Sequence, residues 1–397
     1  MKTRILSRRT FIQQALVASA GAAVALRCAR DNLLGAENLG LPNPPLLASL
    51  RSEAKVAIVS CRSYGPEVRA ALEKCFDLLG GVGSLIKDKT VTVKINLTSG
   101  SFAPYLNRPP GETFMTHPAT AQALCALLFA AGARRVCFVE SMPRRAEFAS
   151  SLALGDWDIK ALEGLGKVQF ENTRNLGSGR SYSHLRAPTG GYMFSSFELN
   201  RAYEETDVMI SLAKLKNHLT AGVTLSMKNL FGITPNSLYG DEAGNEDALA
   251  GRNLLHNPKG FEKITLPGLK TGITSTDPTW RVPRITVDIC AARPIHLAII
   301  DGITAMSGGE GPWCGEAGAL KLTTPGVIIA GLNPVSTDAV ATVVMGYKDP
   351  RAARGAKPFG SCDNHLLLAE QAGLGIANLA DIDLRGVSLE KARYPYD

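Results

Sequence analysis

The sequence predicts an α/β protein built on a mostly parallel sheet with flanking helices, arranged either as one body or as two lobes around a cleft. Three observations carry this expectation. Apolar runs of strand length recur from Lys55 onward, helical stretches separate them, and Gly or Pro marks many of the junctions. Strands that alternate with helices need crossover connections, and these favour parallel pairing. The chain has 397 residues. About 360 follow the leader described next, enough for one large domain or two.

Residues 1–36 read as a twin-arginine export signal. Ser7-Arg-Arg-Thr-Phe-Ile-Gln13 places adjacent arginines ahead of the Ala-rich apolar run Ala15–Leu26. That run is too short to span a bilayer of about 30 Å, so no permanent membrane span is expected. The implied partner is the twin-arginine export machinery, and the implied location is periplasmic or extracellular. Because that route moves folded chains, often after cofactor insertion, it raises the expectation of a bound cofactor. The formal charge is +7. The leader holds six Lys or Arg against one Asp, which leaves about +2 for the remainder. No basic block stands out, so nucleic acid is not an expected partner. Residues 37–54 read as a linker or surface arm.

Residues 55–397 form the expected α/β domain. Strands are predicted at Lys55–Ser60, Thr90–Leu97, Arg135–Ser141, Lys167–Phe170, Asp207–Ala213, His296–Asp301 and Gly326–Ala330. Helices are predicted at Pro66–Leu79, Pro118–Ala131, Arg284–Ala292, Pro334–Gly346 and Cys362–Ala372. An irregular insert rich in Gly, Asn, Asp and Pro occupies about 236–279, where a lid or mobile insert is expected. Seven cysteines follow the leader and none forms C-x-x-C, so a ferredoxin-type cluster is not expected. Their odd number leaves at least one outside any intrachain disulfide.

Ligands of open α/β sheets bind beyond the carboxyl ends of the strands. Four polar groups fall there: Lys94 with Asn96, the segment Lys214–His218, Asp301 with its Gly-rich sequel, and Asn333 with Asp338. The stretch Lys214–Pro235 is the most concentrated. It packs Lys214, Lys216, His218 and Lys228 among small residues, a set that a core strand does not need. His218, surrounded by lysines, is expected to stay neutral and to act as a base. Lys228 is expected to be a partly buried lysine serving as nucleophile or anchor. His117, ahead of a helix in Thr116-His-Pro118, is a second candidate base. Lys94, Asn96, Lys214, Lys216, Gly308 and Gly309 are the candidate cofactor or anion contacts, the glycines through backbone N–H groups. His256 and Asp301 are the candidate metal ligands.

Several segments together resemble the family called domain of unknown function 362. These are Val93–Leu97, Thr116–Thr120, Lys214–His218, Thr224–Gly232, Asp301–Pro312, Asn333–Asp338 and His365–Gly375. That family is often tied to iron–sulphur proteins, which implies a redox partner protein. This chain lacks the cysteines of the members that carry a ferredoxin module. A more distant resemblance is to the nickel-pincer lactate racemases. His218, Gly222 and Lys228 match the spacing of that family's acid–base His, Gly and cofactor-anchoring Lys, and Thr116-His117 matches its second acid–base pair. This resemblance implies a nickel-containing or other metal cofactor, and His/Lys acid–base chemistry on a small anionic substrate, as a racemase, an epimerase or a redox-linked enzyme. The other reading is a non-catalytic protein that binds an anion or cofactor and accompanies an iron–sulphur redox system. Convergence of His117, His218 and Lys228 on one pocket is what the racemase-like arrangement requires.

Overall fold

The apolar runs assemble into one eight-stranded sheet in the computed structural model, which describes residues 53–98, 101–257, 260–261, 265–315 and 319–396. The export signal, and the proposed arm up to residue 52, lie outside the described residues. The strands are β1 (Lys55–Ser60), β2 (Thr90–Ile95), β3 (Arg135–Glu140), β4 (Val168–Asn172), β5 (Val208–Lys214), β6 (Leu297–Gly302), β7 (Val327–Gly331) and β8 (Asp383–Gly386). Their order across the sheet is β8-β1-β7-β6-β5-β2-β3-β4. Every neighbouring pair is parallel except the two made by β7, which runs against both β1 and β6. The mostly parallel α/β expectation therefore holds. The remaining strand pairs among the described residues are two-stranded, so no second large sheet marks a separate lobe.

Parallel strands are covered on both faces, and their sequences show it. All residues of β2, β5, β6 and β7 are buried. Side chains alternate between faces, and the core splits accordingly. Val91, Val93, Ile95, Ile210, Leu212, Leu297 and Ile299 pack with helices α1 (Pro66–Leu79) and α2 (Pro118–Ala130). Val139, Met209, Ala298, Ile300 and Ile329 point the other way. There they meet α3 (Leu225–Asn229), α4 (Asn253–His256), α5 (Pro278–Ala292), α6 (Pro334–Val344) and α7 (His365–Gln371).

Local chemistry sets the helix ends. Gly80, at φ 95°, closes α1 by donating its N–H to Asp77 and Phe76 carbonyls. His117 caps α2, its Nδ1 accepting the Ala119 N–H at 3.1 Å. Helix α5 starts at Pro278, six residues before the predicted Arg284. Asp277 accepts the Thr279 N–H there, and the helix runs through Pro283. Helix α7 starts at His365, three residues later than predicted, where Asn364 caps it by accepting the Leu366 N–H. The insert at about 236–279 carries two short helices, Asn236–Tyr239 and α4, and is otherwise irregular among its described residues.

Candidate functional site

Strand alternation decides which polar side chains can meet. Lys214 and Asp301 lie at matching positions on the neighbouring strands β5 and β6, and both face the α1–α2 side. The Lys214 ammonium donates to Tyr64 Oη at 2.6 Å, the Gly111 carbonyl at 2.5 Å and Asp301 at 3.2 Å. Asp301 also accepts from Tyr64, from Thr120 and from the Ile303 N–H. The Tyr64 ring stacks on His117, with centroids 3.5 Å apart and planes 6° apart. His117 borders a depression of about 320 Å³ lined mainly by Leu97, Phe102, Met115 and Trp157. Burial, with the Lys214 charge next, pushes it down to about 4. Lys216 faces the same side, and its Nζ donates to the Phe114 and Glu310 carbonyls at 2.6 and 2.9 Å. Lys214 spends three hydrogen bonds and Lys216 two in tying strand ends to loops.

On the opposite side Lys94 pairs with Glu140 at 2.7 Å, with both side chains buried. Its ammonium also donates to the Ile95 carbonyl and to Asn229 Oδ1. Glu140 in turn accepts the Leu97 and Ser141 N–H groups. Gly232 passes directly over this pair, and a Cβ there would lie 2.8 Å from both Lys94 Nζ and Glu140 Oε1. Beyond the pair opens a cavity of about 410 Å³ bordered by His218, Lys228, His256, Arg252, Asn96 and Glu310.

Lys228 reaches this cavity from α3, a helix of five residues that begins with Leu225 at φ 45°. Asp338 on α6 holds the start of α3 by accepting the Ser226 N–H, the Ser226 hydroxyl and the Met227 N–H. Helix α4 brings His256. Asp241 caps α4 by accepting the Asn253 and Leu254 N–H groups, and buried Arg281 binds the Leu254 and Asn257 carbonyls from α5. Gly222, at φ 74°, leaves room for Phe359 of the chain itself, which a Cβ would approach to 2.7 Å. Gly222 therefore serves internal packing at that point.

Hydrogen bonding assigns the tautomers. His218 Nδ1 accepts the Thr220 N–H at 3.2 Å, so the ring proton sits on Nε2. His256 Nδ1 lies 2.9 Å from the Arg252 carbonyl, which can only accept, so His256 Nε2 carries the lone pair. That lone pair is 3.4 Å from Lys228 Nζ. Burial, reinforced by the Lys228 charge, holds both histidines well below their usual range, so both are neutral at pH 7. Burial also pushes Lys228 down to about 7, against the pull of Glu310. Its Nζ lies 3.9 Å from the centre of the Phe231 ring and has no carboxylate or carbonyl partner among the described residues. Arg252 spends one nitrogen, Nη1, on Ser141, Thr234 and Asn236.

Among the residues singled out from sequence, His218, Lys228, His256, Lys94 and Asn96 come together around one cavity. His117 borders the other depression, on the opposite face, so the three-residue convergence required by a racemase-like arrangement is not formed. Asp301, expected to bind metal, is fully buried among its own hydrogen-bond donors. Gly308 spends its N–H on Asn217 Oδ1, and a Cβ on Gly309 would strike Cys314. Neither glycine borders the cavity. No group of three or more His, Cys, Asp or Glu side chains among the described residues is placed to hold a metal ion. The seven described cysteines are unpaired. Sequence reasoning did not single out Arg252, Glu140 or Asn229. Asn229 directly follows Lys228 and Glu140 lies next to the end of a predicted strand, so both positions carried a signal; Arg252, inside the irregular insert, carried none.

Residues 91–343 match the family described as Domain of unknown function (DUF362). A relative, the Thylakoid-associated protein sll1697 of Synechocystis sp. (strain ATCC 27184 / PCC 6803 / Kazusa), is 28% identical over 290 residues. The match covers 71% of this chain and 73% of the relative. No helix among the described residues is long and apolar enough to cross a membrane.

Proposed function

Because the chain belongs to the family described as Domain of unknown function (DUF362), and the matched segment includes every residue lining the His218 cavity, we propose that this cavity is the active site of an exported enzyme that moves protons on a small anionic substrate. The carrying observation is Lys228, a buried amine with no ion-pair partner among the described residues, pushed down to about 7 and set against the lone pair of a neutral imidazole. A group that titrates near the working pH is suited to both taking and returning a proton. Arg252 supplies the permanent positive charge that holds the substrate's anion. Neutral Lys228 removes a proton from the substrate, and His256 Nε2 can accept one of the hydrogens of the resulting ammonium. His218 Nε2–H donates to the oxygen on which negative charge develops. His218 thus serves as a donor, and the base role expected of it passes to Lys228.

Among the described residues no three His, Cys, Asp or Glu side chains are grouped to hold a bare metal ion in this cavity. No step of the proposed chemistry uses one. The relative's printed association with thylakoids and the leader's adjacent Arg8 and Arg9 support an exported location. Replacing both arginines by lysine should retain the full-length precursor inside the cell; normal export of that variant would remove the twin-arginine route.

Deuterium uptake tests the chemistry. Natively exported protein in heavy water, given a panel of small hydroxy, oxo and amino carboxylates and phosphate esters, should place deuterium at one substrate carbon, and Lys228→Met should not. Binding of an anion without exchange on any panel member would leave an anion-binding protein.

A further inference from the structure

We propose that the ligand of this cavity is an amphipathic anion, and that Trp313 and Leu219 hold its apolar body at the cavity mouth. The inference rests on the reading of the cavity as an anion site and names the other end of the ligand. The cavity wall reverses the usual burial order, in which charged side chains lie outside and large apolar ones inside. Lys94, Lys228 and His218 are buried in this wall, whereas Trp313 and Leu219, which border the same cavity, are 53% and 52% exposed. Among the described residues three large apolar side chains are exposed, and these are two of the three. Water gains nothing from that order, and a molecule with a charged head and an apolar body matches it from end to end.

The mouth is built rather than loose. Leu219 lies at the turn of the hairpin that pairs Asn217–His218 with Gly222–Val223, and Trp313 follows the Gly-rich loop. Three hydrogen bonds join hairpin and loop. The Gly308 N–H donates to Asn217 Oδ1, the Leu219 N–H to Glu310 Oε2 at 3.0 Å, and Lys216 Nζ to the Glu310 carbonyl. The Trp313 ring folds over Gly311, where a Cβ would strike it, and stands edge-on to buried Phe114 with centroids 6.1 Å apart. Ring and hairpin are thus held in place before any ligand arrives, so little ordering is left to oppose binding. Charge sets the orientation. Glu310 repels an anionic head from the mouth, and Arg252 and Lys228 attract it inward. Size agrees. A cavity of about 410 Å³ is in the range that takes drug-sized ligands, and a carboxylate or phosphate head fills only a part of it.

Matched pairs decide the matter by titration calorimetry on natively exported protein: phenylacetate against acetate, 3-phenyllactate against lactate, and phenyl phosphate against methyl phosphate. The aryl member of at least one pair should bind about tenfold tighter or more, and the pair that shows it distinguishes carboxylate from phosphate. Trp313→Ala and Leu219→Ala should each reduce that ratio, and the double variant should bring it close to one. Trp313→Phe, which keeps an apolar ring, should retain most of it. Arg252→Met should weaken both members and keep the ratio. Trp313 emission should move to shorter wavelength with the aryl member, and Trp313→Phe should not show the shift. Equal affinities within every pair, or a preference that survives the double variant, would overturn the assignment while leaving an anion site. Failure of every probe to bind would overturn the anion reading and this inference with it. Both side chains are exposed, so these variants test the mouth without emptying the core.

Discussion

Buried lysines in this protein differ in what answers their charge, and that difference separates framework from chemistry. Lys94 and Lys214 each face a buried carboxylate, whereas Lys228 faces an imidazole and a phenyl ring. Removing one partner of a buried pair strands the other charge at a cost of about 3–5 kcal/mol, so Lys94→Met should lower the thermal midpoint sharply. Lys228→Met should do the opposite. The folded protein lowers this group from 10.5 to about 7. Its contribution to stability is therefore whole above 10.5 and is lost as pH falls through 7. The variant's gain in midpoint should grow as pH drops across that window, reaching about 2 °C or more near neutrality. The same titration divides binding from turnover. Anion affinity should rise as pH falls through about 7, while exchange, which needs the free amine, should rise with pH through that value. Calorimetry and deuterium uptake measured from pH 6 to 9 check both slopes.

At the level of elements, five residues of helix carry the proposed base, far too few to be stable alone. Asp338 supplies the missing order by accepting three donors at the start of α3. Asp338→Ala leaves the Ser226 and Met227 N–H groups without partners. It should cost about 2 kcal/mol or more and reduce exchange further than it reduces anion affinity, as urea unfolding and the deuterium assay would show. Much of the element pattern was legible in the sequence, because buried parallel strands read as continuous apolar runs. The exceptions have physical reasons. β8, Asp-Leu-Arg-Gly, is a partly exposed edge strand with charged residues, so it has no apolar run to find. The Ser183–Arg186 and Ser196–Leu199 hairpin mixes polar with apolar residues in strands of four. Asp338 was noted as lying beyond a strand, but its partner is 112 residues away, and no local pattern announces such a pairing.

For the whole molecule, the informative fact is that the polar groups at the carboxyl edge of the sheet divide between two faces. Sequence order placed Lys94, Lys214 and His218 at that edge, with His117 as a second candidate base ahead of a helix, but gave no account of strand neighbours, so the four looked like one constellation. Lys94 points toward α3 and Lys214 toward α2, and the two histidines border different depressions, His117 the one lined by α2 and His218 the one lined by α3. His117→Ala should therefore leave deuterium exchange within about twofold of wild type. Its effect on stability should add to that of Lys228→Met within about 0.5 kcal/mol, as expected for sites with no shared partners. A large coupling energy in that double-mutant cycle would mean that the faces communicate.

The position of β1 also governs when folding can finish. The first strand of the domain sits between β7 and β8, which are the last two strands of the sheet in chain order. Val56, Ala57 and Ile58 are fully buried only once those late strands arrive. During synthesis the earliest apolar strand must wait, uncovered, for residues more than 270 positions downstream. A chain interrupted before β7 therefore shows an open strand edge, and one completed through β8 does not. For a protein proposed to leave the cell already folded, that contrast separates finished chains from unfinished ones.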